Sequence, residues 1–155
     1  MVWPEQVVLG IIGRRPDEVS LVWATGLASR WGSQLHVVAG YHPPIGMFPH
    51  IVTEREKRAA HQRARRHVAT RTQQAVGGLA APIEVRQTVV THNQLDHTIA
   101  TQASRAGLLL FSIAPTGVLV RRHRARAQRI AAFVGCPASL GPGQAVELPA
   151  GYAAH

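Results

Sequence analysis

The chain has 155 residues, 46% of them apolar, and sets seventeen Lys and Arg against eight Asp and Glu, a formal charge of +9 with histidine neutral. That length suits one domain around one core, and the single cysteine, Cys136, excludes an internal disulfide and a multi-cysteine metal cluster. No stretch approaches the roughly 20 apolar residues of a membrane span, and the N-terminal apolar run lacks the flanks of a signal peptide, so a cytoplasmic protein with no membrane partner is expected.

In chain order, residues 6–13 (QVVLGIIG) form a short β-branched run ending at glycine, the pattern of a strand buried on both faces. After a turn at 14–16, Val19, Val22, Trp23, Gly26 and Leu27 recur at helical spacing, with Asp17 as N-cap and Gly32 as the stop. Residues 35–39 read as a second buried strand. The next segment, GYHPPIGMFPHIV (40–52), is rich in proline and glycine and longer than most strand-to-helix connections.

Thr53-x-x-Glu56 is a capping-box pattern. It opens a long helix that ends at Gly77–Gly78, with a thin apolar stripe (Ala60, Ala64, Val68, Ala75, Leu79) and a broad arginine-rich surface. Residues 83–90 alternate as a third strand. Asn93 is placed to cap a helix that turns Leu95, Ile99 and Ala103 inward before Gly107. Residues 108–114 (LLLFSIA) are the most hydrophobic strand. A basic segment follows, then a helical face of Ala127, Ile130, Ala131 and Val134 that stops at Gly135-Cys136-Pro137. Residues 138–140 make a short, weak fifth strand, and 141–155 read as a loosely held tail.

Strands alternating with helices predict an α/β fold: a single doubly wound parallel sheet with helices on both faces, Rossmann-like, in a domain spanning 1–140. Over residues 6–140 the chain resembles the universal stress proteins, in the first strand and turn VVLGIIGR, the proline-bearing loop after the second strand, the long second helix, and the block from LLLFSIAPTG to RAQRIAAFVGCPASL. The resemblance implies a universal-stress-protein-like sheet, a stress-related role, an ATP site at the strand ends and a homodimer paired through the last strand. Here ASLGPG is a poor pairing strand, because a proline and two glycines interrupt it.

The implied nucleotide site is altered. Ile12 stands where family members place an Asp, Ser112 replaces a glycine at the end of the fourth strand, and Arg124-Ala125 occupies the place of a glycine followed by a hydroxyl residue. Only Gly117 resembles a loop glycine, and an arginine cannot replace the close backbone approach that glycines give a phosphate. The candidate nucleotide- or anion-binding residues are therefore Ile12, Gly13, Ala39, Gly117, Arg121, Arg122 and Arg124. No cofactor is expected, with ATP or another adenine nucleotide as the alternative.

No nucleophile elbow, phosphate loop or carboxylate pair is present, so the expectation is a non-catalytic protein of the universal stress type. The histidines lack the i, i+4 spacing of a metal pair and read as surface residues, with no metal site. The cluster Arg121, Arg122, His123, Arg124, Arg126 and Arg129 reads as an anion site or a solvated helix start, and with the arginines at 55–71 it leaves a second reading open: a basic nucleic-acid- or ribosome-associated module that binds RNA or DNA, or a subunit of a larger assembly with an acidic protein partner.

Overall fold

The structure is a computed structural model and describes residues 3–13, 16–113 and 118–139. Strands β1 (Gln6–Ile11), β2 (Gln34–Tyr41), β3 (Val85–Thr91), β4 (Leu108–Ser112) and β5 (Ala138–Ser139) form one sheet in the order β3-β2-β1-β4-β5, with every neighbouring pair parallel. Helices α1 (Glu18–Trp31), α2 (Glu54–Val76), α3 (Leu95–Ala103) and α4 (Val120–Val134) make the crossovers. The doubly wound α/β architecture expected from the sequence is the one observed. Gly117, Leu140 and the tail lie outside the described residues.

The central strands read as unbroken apolar runs because both faces of the sheet are covered. Val7, Leu9 and Ile11 point into the layer with α1 and α2, and Val8 and Ile12 point into the layer with α3 and α4. On β4, Leu108 and Leu110 join the first layer while Leu109 and Phe111 join the second. The strands end earlier than the apolar runs suggest: β1 stops at Ile11 and β4 at Ser112. Ile12, Gly13 and Ile113 are thus chain leaving the sheet at its carboxyl edge, where doubly wound sheets place ligands.

Helix α1 begins after Asp17 and ends on Gly32 in the left-handed region (φ 65°), as the sequence indicates. Its inward face differs from expectation. Ser20, Leu21, Ala24, Thr25 and Ala28 are buried, whereas Val19 and Val22 are 62% and 53% exposed. Small residues line the contact because the helix lies close on the sheet; Trp23 and Leu27 pack along its flank. Asp17 caps with its backbone position, and its carboxylate instead accepts from the Ser20 hydroxyl at 3.0 Å.

Helix α2 carries the expected capping box: the Glu56 N–H donates to Thr53 Oγ1 at 3.2 Å and the Thr53 N–H donates to Glu56 Oε2 at 2.9 Å. Only Val68 and Thr72 are buried along its length. The inward edge also carries His61, whose Nε2–H donates to the Val89 carbonyl at 2.8 Å and ties the helix to β3.

The expected Asn93 cap is not what starts α3. Asn93 sits in a 3-10 turn, His92–Gln94, that leads from β3 into the helix. Leu95, Ile99 and Ala103 are fully buried, as their spacing predicts. Two glycines let this helix come close: a Cβ on Gly10 would stand 2.9 Å from Ile99 Cδ1, and one on Gly40 would stand 3.1 Å from Leu95 Cδ2. That approach places His92 and Asp96 beside the carboxyl ends of β1 and β2. No helix among the described residues is long and apolar enough to cross a membrane.

Candidate anion-binding site

A cleft of about 700 Å³ opens at the carboxyl edge of the sheet. Its floor is apolar, built from Ile11, Ile12 and Ala39 at the ends of β1 and β2 and from Ala64 and Val68 of α2. Its walls are basic. Arg122 and Arg126 enter from α4, and four imidazoles line it: His42, His67, His92 and His123. No Asp or Glu is among the described residues that line it.

Arg126 is the best-positioned of these groups, with a side chain 16% exposed. Its Nε–H donates to Asp96 Oδ1 at 2.6 Å, its Nη1–H to His92 Nε2 at 2.9 Å and its Nη2–H to the His92 carbonyl at 3.3 Å. Guanidinium has only donors, so Nε2 of His92 must be the unprotonated nitrogen. The His92 ring also stacks on His42, with centroids 4.4 Å apart. Burial, and then the charge of Arg126, hold the His92 imidazole below its ordinary value; His42 and His123 add to that lowering, while Asp96 opposes it. On the opposite wall, Nε2 of His67 is buried with no hydrogen-bond partner among the described residues.

The sequence-predicted residues separate into two groups. Ile12, Gly13, Ala39 and Arg122 all line the cleft. Arg121 and Arg124 are exposed on α4 and do not line it, and Gly117 is outside the described residues. The reason for the miss at Arg124 is the helix start: α4 begins at Val120, so the position that a phosphate-binding glycine would occupy lies inside the second turn, its amide committed to the helix. Ser112, at the other altered position, is buried and takes a structural part, its Oγ accepting from the Asp17 N–H at 3.0 Å.

Sequence reasoning missed His42, His67 and His92 as site residues, and named His123 and Arg126 only as members of the basic cluster at 121–129. Reading all the histidines as surface groups is corrected here: His36 is 6% exposed, His61 bridges to β3, and His67 and His92 face the cleft. Their signal was positional, since His42 and His92 each follow a strand at the edge where ligands bind, but pair spacing within a helix could not reveal it. Among the described residues no group of three or more His, Cys, Asp or Glu side chains is arranged to hold a metal ion.

These features define a class: a doubly wound parallel α/β protein with a cationic cleft at its switch point. No family model and no curated protein matches the sequence. Among solved structures, the chain is similar to a universal stress protein in complex with cAMP, at 17% identity over 86% of this chain and 94% of that one, with a TM-score of 0.50. Similar in the same way are the universal stress protein from Archaeoglobus fulgidus in complex with dAMP (16% identity, 89% and 97% covered, TM-score 0.49) and the universal stress protein UspA from Lactobacillus plantarum (14% identity, 88% and 97% covered, TM-score 0.49). The chain has the universal stress protein fold.

Proposed function

We propose that this is a non-catalytic, cytoplasmic regulatory protein of the universal stress type whose cleft binds a small anionic ligand by arginine and histidine side chains, in place of a glycine-loop nucleotide site. The observation that carries the proposal is the pairing of an apolar floor around Ile12 with walls that hold, among the described residues, Arg122, Arg126 and four imidazoles and no carboxylate. A further support is the start of α4, which has no side-chain cap and no acidic residue in its first turn. Arg121 and Arg122 crowd the positive end of that helix, a mildly unfavourable arrangement that a bound anion offsets.

The structural likeness to a cAMP-bound protein makes phosphorylated adenosines the first ligands to test. Ile12 is 1% exposed and apolar, so it offers no acceptor to a ribose or adenine. Calorimetric titration with AMP, cAMP and ATP should give weak to moderate binding that Arg122→Ala removes. A tight stoichiometric ATP complex, unchanged in Arg122→Ala, would overturn the altered-site proposal. Among the described residues that line the cleft, no hydroxyl or thiol is hydrogen-bonded to a base. A homodimer through the edge strand β5 is the assembly to test by sedimentation.

A second reading rests on α2, where Arg55, Arg58, Arg63, Arg65 and Arg66 are all exposed. It makes this helix a contact for RNA, DNA or an acidic protein. Log affinity for a nucleic acid should then fall linearly with log salt, and absence of binding to RNA or DNA at low salt would remove that arm.

A further inference from the structure

The hydrogen bond between Arg126 and His92 exists only while His92 is neutral. Nε2 of His92 accepts from Nη1 of Arg126 at 2.9 Å. Once that nitrogen is protonated, the pair becomes two donors and two positive charges at the same distance, which repel unless an acceptor stands between them. His42, stacked at 4.4 Å, adds a second imidazole on the same side.

We infer that the cleft is a proton-linked site for a phosphate-type dianion, in which protonated His92 releases Arg126 toward the cleft and the anion takes over the hydrogen bonds that Arg126 and His92 made to each other. The inference rests on the anion-binding reading above and adds its dependence on protons.

The groups around His92 set the direction. From α4 it faces Arg126 and His123, from the end of β2 it faces His42, and from α3 it faces Asp96. Burial acts first and three of these are cations or potential cations, so without an anion the imidazole is held neutral; one carboxylate does not offset them. A dianion reverses the balance, because every cation nearby then stabilises the charged form. Arg122, at the rim, supplies a further donor for a tetrahedral group; across the cleft, Nε2 of His67 is buried with no hydrogen-bond partner among the described residues.

Linkage then fixes the sign. Binding takes up protons, so affinity rises as pH falls through the window between the imidazole's lowered value in the free protein and its raised value in the complex. Sulfate is the probe, since it stays a dianion throughout this range and any pH dependence belongs to the protein. Sulfate affinity of the full chain, measured by calorimetry, should fall about tenfold or more between about pH 6 and pH 8. Parallel arms with inorganic phosphate and AMP, corrected for the ligand's own ionisation, carry the same group free and esterified, and the tighter of the two identifies its source.

The control is a His92→Gln variant, because glutamine still offers Arg126 an acceptor but does not titrate in this range. It should keep its melting temperature at about pH 8 and show less than about threefold change in sulfate affinity over the same pH interval. Sulfate binding that is independent of pH in the natural chain overturns the proton linkage and leaves the anion site standing. A slope that persists in the His92→Gln variant overturns its assignment to His92. No sulfate binding at any pH overturns both the inference and the reading beneath it.

Discussion

Replacing Gly10 by alanine puts a methyl group into the narrowest part of the α3–sheet contact. The added Cβ would meet Cδ1, Cγ1 and Cγ2 of Ile99 at 2.9, 3.3 and 3.4 Å. Ile99 is fully buried and stiff at its branched Cβ, so only Cδ1 can swing aside and the helix itself must give. Overpacking of this kind costs about 1–3 kcal/mol, of which the lower backbone entropy of alanine in the unfolded chain returns about 0.4–1 kcal/mol. The net loss is about 1–2 kcal/mol, or a melting temperature lower by roughly 3–6 °C for a chain of this length. The assay is urea unfolding followed by circular dichroism, run as a double-mutant cycle with Ile99→Val. That second change removes Cδ1 and alone costs about 1 kcal/mol. In the double variant the closest contact no longer exists, so the combined loss should fall short of the sum by roughly 1 kcal/mol. A Gly10→Ala protein as stable as the natural one, or strictly additive losses, would refute the claim that close packing of α3 holds His92 at the cleft.

Thr53→Ala removes the acceptor for the Glu56 N–H and should destabilise the protein by about 1 kcal/mol, read as a shift in the urea midpoint; an unchanged midpoint would mean that the capping box contributes nothing in the folded chain. His36 is held below its ordinary value first by burial and then by Arg86, so the folded state favours neutral imidazole and the unfolded state binds more protons. Stability should therefore decline as pH falls below about 6.5, less so in His36→Gln, and an equal decline in both would contradict the assignment. Asp96→Asn removes the carboxylate 2.6 Å from Arg126 Nε. Because Asp96 is 47% exposed, the expected stability loss is modest, about 1 kcal/mol, while sulfate affinity should increase; a decrease would show that the Asp96 carboxylate helps rather than opposes anion binding.

Much of the fold could be read from the sequence because the strands are buried on both faces. Runs such as VVLGII and LLLF admit few other places in a small domain, and Leu95, Ile99 and Ala103 announced their helix face by spacing alone. The face of α1 was misread for the converse reason: its contact with the sheet is made by Ser20, Ala24, Thr25 and Ala28, which carry little hydrophobic signal, while Val19 and Val22 look inward in the sequence and face water. At the site, Ile12, Gly13, Ala39 and Arg122 were reachable because strand ends and the start of the last helix converge in any doubly wound sheet. Arg124 does not line the cleft because α4 begins at Val120, a helix start that the family pattern of a glycine and a hydroxyl residue does not show. His92 and Arg126 were not legible as a pair, since they are far apart in sequence and only the packing of α3 against α4 brings them to 2.9 Å.

The most direct test of the central claim is a crystal structure grown with AMP at about pH 6. The account predicts a phosphate group in contact with Arg122 and Arg126 above the Ile12 floor, with Arg126 turned from His92 toward the anion. A cleft without bound anion, or a phosphate held by backbone amides ahead of α4 with Arg126 still bonded to His92, would contradict it.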